Sequence, residues 1–184
     1  FGYVEGGGYR SIIARIEEIL AEHNVEVCTG HPIAKVDKRD DGQLNLSFAG
    51  DAEDRQFDRV IMTTPNAIIG RTVPELSDGE REKYDSVSYL GIVCASVLLK
   101  KPLSVYYVTN LTDDWVPMTA VIEMTTIVSP EELQGHSLVY LPKYVPAEHE
   151  LFEQSDEEIE ESFLAALERM YPDFTRGDVA AFKL

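Results

Sequence analysis

Three consecutive glycines, Gly6-Gly7-Gly8, followed by Tyr9-Arg10-Ser11, nearly fit G-x-G-x-x-G, the spacing with which a loop cradles a dinucleotide pyrophosphate at a helix N-terminus. Glu26 lies further on, where an acid would meet a ribose hydroxyl. Two features weigh against that chemistry. Ser11 takes the place of the third glycine, and Phe1 to Glu5 hold too little apolar sequence for the buried strand that must precede such a loop. Backbone freedom at a helix entrance is the reading adopted. His23, Cys28 and His31 suggest a metal by proximity alone, but His23 falls at a helix end and Cys28 on a strand. His136 and His149 stand apart, so no four-ligand set assembles and no metal is expected. Without a G-x-S-x-G nothing locates a nucleophilic serine, and catalytic residues stay unassigned. Tyr106, Tyr107, Trp115, Tyr140 and Tyr144 offer flat apolar walls with polar tips, suited to a small-molecule pocket or to a core.

The elements that must carry these residues follow from periodicity. Ile12, Ile13, Ile16, Ile19 and Leu20 recur at helical spacing, which predicts an amphipathic helix from about Ser11 to Glu22 with Asn24 at its C-terminal cap. Val25-Glu26-Val27 reads as a short strand. Ile33 to Lys38 and Leu44 to Phe48 alternate around Asp40-Asp41-Gly42 and predict a hairpin, with a further strand over Phe57 to Met62 stopped by Thr63-Thr64-Pro65. Ile12, Ile16 and Leu20 are expected to pack on this meander. After a helical patch near Asp78 to Tyr84, strands are expected at Tyr89 to Leu99, Ser104 to Thr109, Thr119 to Met124 and Ser137 to Tyr144. Ser155-Asp156-Glu157-Glu158 is a capping box opening a helix to Met170, with Ile159, Phe163, Ala166, Leu167 and Met170 on one face. Pro65, Gly70, Pro74 and Gly79 cluster between the two sheet-forming parts and suggest a boundary near residues 66 to 86.

Sixteen Lys and Arg against 33 Asp and Glu leave a net charge of −17, so no basic surface exists to exchange for phosphate counterions. Neither nucleic acid nor an anionic membrane is an expected partner. Tyr89 to Leu99 is far shorter than a spanning helix, which needs roughly 20 residues. The acids between Glu148 and Glu161 run through the capping box and read as a solvated helix face. Cys28 and Cys94, far apart and outside any CxxC, point to a reducing compartment, with the cytoplasm expected. Phe1 and the strand-like Asp178 to Leu184 suggest a piece of a longer protein.

Taken in order, several segments resemble the flavin-containing amine oxidase superfamily, which includes protoporphyrinogen oxidases and phytoene-desaturase-like enzymes. The resemblance runs through Gly7-Gly8, Val25-Glu26-Val27, His31-Pro32-Ile33-Ala34-Lys35-Val36 and Phe57-Asp58-Arg59-Val60-Ile61-Met62-Thr63-Thr64-Pro65. It continues through Lys101-Pro102-Leu103, Asn110-Leu111-Thr112-Asp113, Val139-Tyr140-Leu141 and Tyr171-Pro172-Asp173-Phe174. It implies an α+β fold in which a helix and β-meander of the FAD domain, residues 1–75, join a mixed-sheet substrate domain with flanking helices, residues 76–184, incomplete at its C-terminal end. It also implies FAD contacts at the backbone of Ile33 and at Thr64, and a substrate face holding Tyr106, Trp115, Tyr140 and Tyr144. The partners implied are a small organic substrate and the FAD-domain segments of a longer parent chain. The upstream Gly-rich loop and acidic ribose contact are not in these residues, so the isolated chain is expected to bind FAD poorly or not at all. A free-standing α+β ligand-binding or interaction module without redox activity is the alternative; an upstream G-x-G-x-x-G in the parent gene would decide against it.

Overall fold

Alternating residues on either side of Asp40-Asp41-Gly42 close into the expected hairpin. In the computed structural model, which describes residues 2–50 and 52–184, β1 (Ile33–Lys38) pairs antiparallel with β2 (Leu44–Phe48). The turn is fixed by the Arg39 N–H donating to the Gln43 carbonyl at 2.8 Å and by Gly42 at φ +87°. A three-residue β3 (Arg55–Phe57) completes a meander in the order β1-β2-β3, with Val36 and Leu46, partners across the ladder, as its buried apolar pair. Val25-Glu26-Val27 and residues 58–62 do not form the expected strands. A strand exists only through a ladder, and among the described residues neither segment has one.

The segment with clustered proline and glycine is more ordered than its composition suggests. It folds as α2 (Asn66–Thr72) and α3 (Asp78–Asp85). Pro65 precedes the first, and the Arg81 guanidinium of α3 donates to the carbonyl of buried Gly70 in α2, so a tertiary bond offsets the poor local propensity. Ser77 caps α3, its N–H donating to Glu80 at 2.9 Å. The meander and these two helices lie in one unit, Glu17–Ser88.

The expected first helix is α1 (Tyr9–Glu22), closed by Asn24 at φ +57°. Its apolar stripe is not covered as expected. Of the three residues expected to pack, Ile12 and Ile16 are exposed and Leu20 is half-buried; Ile13 and Ile19 are exposed as well, and no residue of the helix is buried.

The other unit comprises the residues up to Ile16 together with Tyr89–Leu184. Its strands are β4 (Leu90–Leu99), β5 (Val108–Asn110), β6 (Ala120–Glu123), β7 (Ser137–Pro146) and β8 (Val179–Lys183), in the order β5-β6-β7-β4-β8. The α+β class is as expected, but the sheet anticipated as mixed has only antiparallel neighbours. The chain reverses direction between neighbouring strands, and after α4 (Asp156–Met170) it returns as β8 to an antiparallel edge beside β4. The Ser155 capping box forms as read, with the Ser155 N–H on Glu158 at 2.9 Å and the Glu158 N–H on Ser155 Oγ at 3.2 Å. Ile159, Phe163, Ala166 and Leu167 of α4 then close over Val97, Leu99, Val139 and Leu141 to make the core.

Candidate functional site

β4 and β7 run in unbroken register from Leu90 opposite Pro146 to Leu99 opposite Ser137. With side chains alternating across the sheet, Ala95, Val97, Val139, Leu141 and Val145 point into the core under α4, and Ile92, Ser96, Tyr140 and Tyr144 share the other face. That second face is partly open: Leu90, Ile92 and Tyr144 are exposed, Cys94, Ser96 and Tyr140 are half-buried, and Pro142 is buried. Pro142 lies between the two tyrosines without breaking the register. Its missing N–H falls beyond the last β6 pairing, Ile122 with Tyr140, and its carbonyl accepts from the Thr119 N–H at 2.7 Å. Cys94, opposite Pro142, has its thiol pushed upward in pKa by burial.

Beside Tyr140 the face deepens into a cleft of about 360 Å³, walled by Tyr3, Tyr9, Ile12, Tyr107, Met124 and Ile127. Each wall is held by its own local hydrogen bonds. Gly8 donates to the Val4 carbonyl at 2.9 Å, Ser11 Oγ donates to the Gly6 carbonyl at 2.9 Å, and the Glu123 N–H donates to the Tyr107 carbonyl at 2.8 Å. Gly8, at φ +55°, lies in the left-handed region that favours glycine. A Cβ there would stand 2.7 Å from the Tyr3 ring. The Glu123 carboxylate is buried but turned to other work, accepting from the Leu103 N–H at 2.9 Å and from Thr125 Oγ1.

The remaining aromatic candidates are placed differently. Trp115 lies beneath the Arg169 guanidinium of α4, 3.7 Å from ion to ring centroid, a cation–π contact on the helix-covered flank of the sheet. Tyr106 sits in the loop before β5 with 69% of its surface exposed, and its N–H donates to Ser104 Oγ. Tyr140 and Tyr144 are thus brought to one face, while Trp115 and Tyr106 are not part of that row. Tyr3, Tyr9, Met124 and Ile127 joined the cleft without any signal in spacing; the glycines beside Tyr3 and Tyr9 were the one local hint.

In the other unit, Ile33 begins the edge strand of the meander, and a bulge between Ile33 and Lys35 leaves Ala34 out of the ladder. An edge with a bulge presents backbone N–H and C=O groups that no neighbouring strand takes up. Thr64, between Thr63 and Pro65, has its hydroxyl oxygen shielded from water and without a hydrogen-bond partner among the described residues. Such an orphaned group fits a position that meets a polar ligand. Both observations are compatible with the contacts implied for FAD. Nearby in sequence, Arg55 holds the Glu26 carboxylate by two bonds of 3.0 and 3.2 Å, which lowers the Glu26 pKa, and Cys28 donates to the same carboxylate at 3.1 Å. His31 is bonded through Nδ1 to the Thr29 carbonyl at 2.8 Å. Among the described residues no three His, Cys, Asp or Glu side chains gather as metal ligands would, and no helix is long and apolar enough to cross a membrane.

The family model described as flavin containing amine oxidoreductase matches residues 2–183. Several solved structures share the fold. One named as a candidate protoporphyrinogen oxidase, from Exiguobacterium sp. 255-15, superposes with a TM-score of 0.77 at 17% identity over 96% of this chain and 38% of its own. An oxidoreductase from Methanosarcina mazei gives 0.73 at 20% identity over 96% and 42%. Putrescine oxidase bound to putrescine gives 0.69 at 18% identity over 96% and 38%. The chain thus spans about two fifths of the length of these structures. No curated protein matches its sequence.

Proposed function

The chain belongs to the flavin containing amine oxidoreductase family, whose enzymes carry FAD, and from that premise we propose that it supplies the substrate-facing sheet of an FAD-dependent oxidoreductase together with part of the cofactor-holding segment. Its task is to orient an organic substrate for hydride transfer to flavin. The flavin, when bound, supplies the redox chemistry, and the protein supplies binding, orientation and exclusion of water. In this reading Ile33, through its backbone, and Thr64, through its hydroxyl, hold the cofactor, while Tyr140 and Tyr144 line the substrate face. The domain division at residues 75 and 76 belongs to the same proposal.

The observation that carries the reading is the asymmetry of the five-stranded sheet. One face is sealed by α4, and the other presents Ile92, Tyr140 and Tyr144 to the outside with an aromatic cleft at its margin. An apolar concavity with a few convergent polar tips is what a small-molecule site requires. In the FAD-loaded parent enzyme, Tyr140→Ala and Tyr144→Ala should raise KM or lower kcat while the flavin absorbance of the purified protein stays unchanged. Thr64→Ala should do the reverse, lowering flavin occupancy first. Unchanged turnover in both tyrosine variants would remove the sheet face from the substrate site.

A further inference from the structure

The cleft beside Tyr140 is unusual for what it lacks. Charged residues make up 27% of the chain, which carries a net charge of −17. Yet the described lining, from Gly2, Tyr3, Val4, Gly8, Tyr9 and Ile12 to Tyr107, Met124, Ile127 and Tyr140, contains no Asp, Glu, Lys, Arg or His. Two acids adjoin the lining in sequence: Glu123 is 1% exposed with its carboxylate already bonded to Leu103 and Thr125, and Glu5, next to Val4, is exposed and is not among the lining residues. Resting on the substrate-face reading above, we infer that this cleft takes an uncharged, predominantly apolar molecule, flat where it meets the tyrosine rings and bearing a neutral hydrogen-bonding group for a tyrosine hydroxyl.

The physical argument compares what each class of ligand would give up. An ammonium entering the cleft leaves water and finds no carboxylate, so ring faces alone must offset its desolvation, at about 0.5–2 kcal/mol for each well-placed contact. A carboxylate finds no cation in the lining, Arg10 beside Tyr9 being exposed and outside it. A neutral ring system loses little hydration, buries apolar area against Ile12, Met124 and Ile127, and can satisfy a hydroxyl or carbonyl on a tyrosine O–H. The Tyr3 ring passes close over Gly8, where the lack of a Cβ leaves room for it. The acidity of the whole chain draws cations toward its surface generally, an effect that salt screens and that says nothing about the cleft.

Three probes of one shape separate these cases: 2-naphthalenemethanol, 2-naphthylmethylammonium and 2-naphthoate, titrated into the full 184-residue chain at high salt and followed by NMR. The alcohol should bind at least about tenfold more tightly than either ion, with shifts at Tyr3, Tyr107 and Tyr140. Tyr140→Ala should abolish that preference, and Tyr140→Phe, which keeps the ring and the packing, should weaken the alcohol alone. Absence of binding, an ammonium that binds as tightly as the alcohol, or a Tyr140→Phe variant that treats the three probes as the wild type does would overturn the inference. The two levels fail separately. If the probes discriminate as stated, yet Tyr140→Phe and Tyr9→Ala leave KM and kcat of the FAD-loaded parent unchanged, the cleft keeps its ligand class and the substrate-face reading falls.

Discussion

Val97, Leu99, Val139, Leu141, Phe163 and Leu167 of the five-stranded unit are wholly shielded from water, whereas in the unit Glu17–Ser88 the buried apolar side chains are Val36 and Leu46. The small unit relies on polar links at its surface. Glu26 pairs with Arg55, Lys35 with Asp37, and Asp54 accepts from Asn45 and Ser47. Exposed pairs of this kind contribute about 0–1 kcal/mol each, whereas a fully buried large side chain contributes about 1.5–3 kcal/mol. One unit therefore has a core that can hold it unaided, and the other owes its form mainly to turns, caps and a narrow ladder.

Mutations aimed at the two interiors should separate them most strongly. Phe163→Ala, at the centre of the helix–sheet core, should cost about 3–5 kcal/mol in urea unfolding; a loss below about 1 kcal/mol would show that the large unit is not held by that core. Leu46→Ala should cost less, about 2 kcal/mol or under, because its site is shallow and can collapse. Amide exchange would sharpen the point: β4 and β7 should protect longest and β1 to β3 should open first. Equal protection would erase the distinction between the units.

Smaller effects probe how the ends of elements are held. Ser155→Ala removes the acceptor for the Glu158 N–H and should destabilise the five-stranded unit by about 1 kcal/mol. The smallest effect is electrostatic. Arg176, bonded to Glu161, holds that carboxyl below the ordinary glutamate range. Because the folded-state pKa is depressed, the stabilisation is complete above the unfolded-state value and is lost as pH falls through the folded one. Glu161→Gln should therefore lower the melting temperature slightly near neutrality, and the gap to the wild type should close on acidification; a gap that widens in acid would contradict the sign.

The parts legible in the sequence were those whose pattern is self-contained. Ser155 and Glu158 name each other as a cap, Gly42 names a turn, and the long apolar run of β4 names a central strand. Residues whose structure depends on something distant were not legible. Asn66–Thr72 reads as broken by Gly70, and becomes a helix through Arg81 of the next one. Val25-Glu26-Val27 has strand composition and no ladder. The aromatic row was visible at Tyr140 and Tyr144, where parity on one strand suffices, but Tyr3 and Tyr9 meet Tyr107 and Met124 only through the tertiary fold. Trp115 shows the converse: its residue type suggested a pocket wall, and Arg169 determines what its ring faces.

The uncovered isoleucines of α1 also bear on how copies of the chain behave toward one another. Ile12, Ile13, Ile16 and Ile19 form an adhesive strip on a particle carrying a net charge of −17. In dilute buffer, mutual repulsion keeps the strips of neighbouring particles apart. At physiological salt the field of each reaches only about 8 Å, and near the isoelectric point of 4.5 it vanishes. Colloidal stability in this chain is therefore a contest between one helix face and the whole surface, and light scattering should rise with salt or acid unless Ile16 and Ile19 are replaced by polar residues.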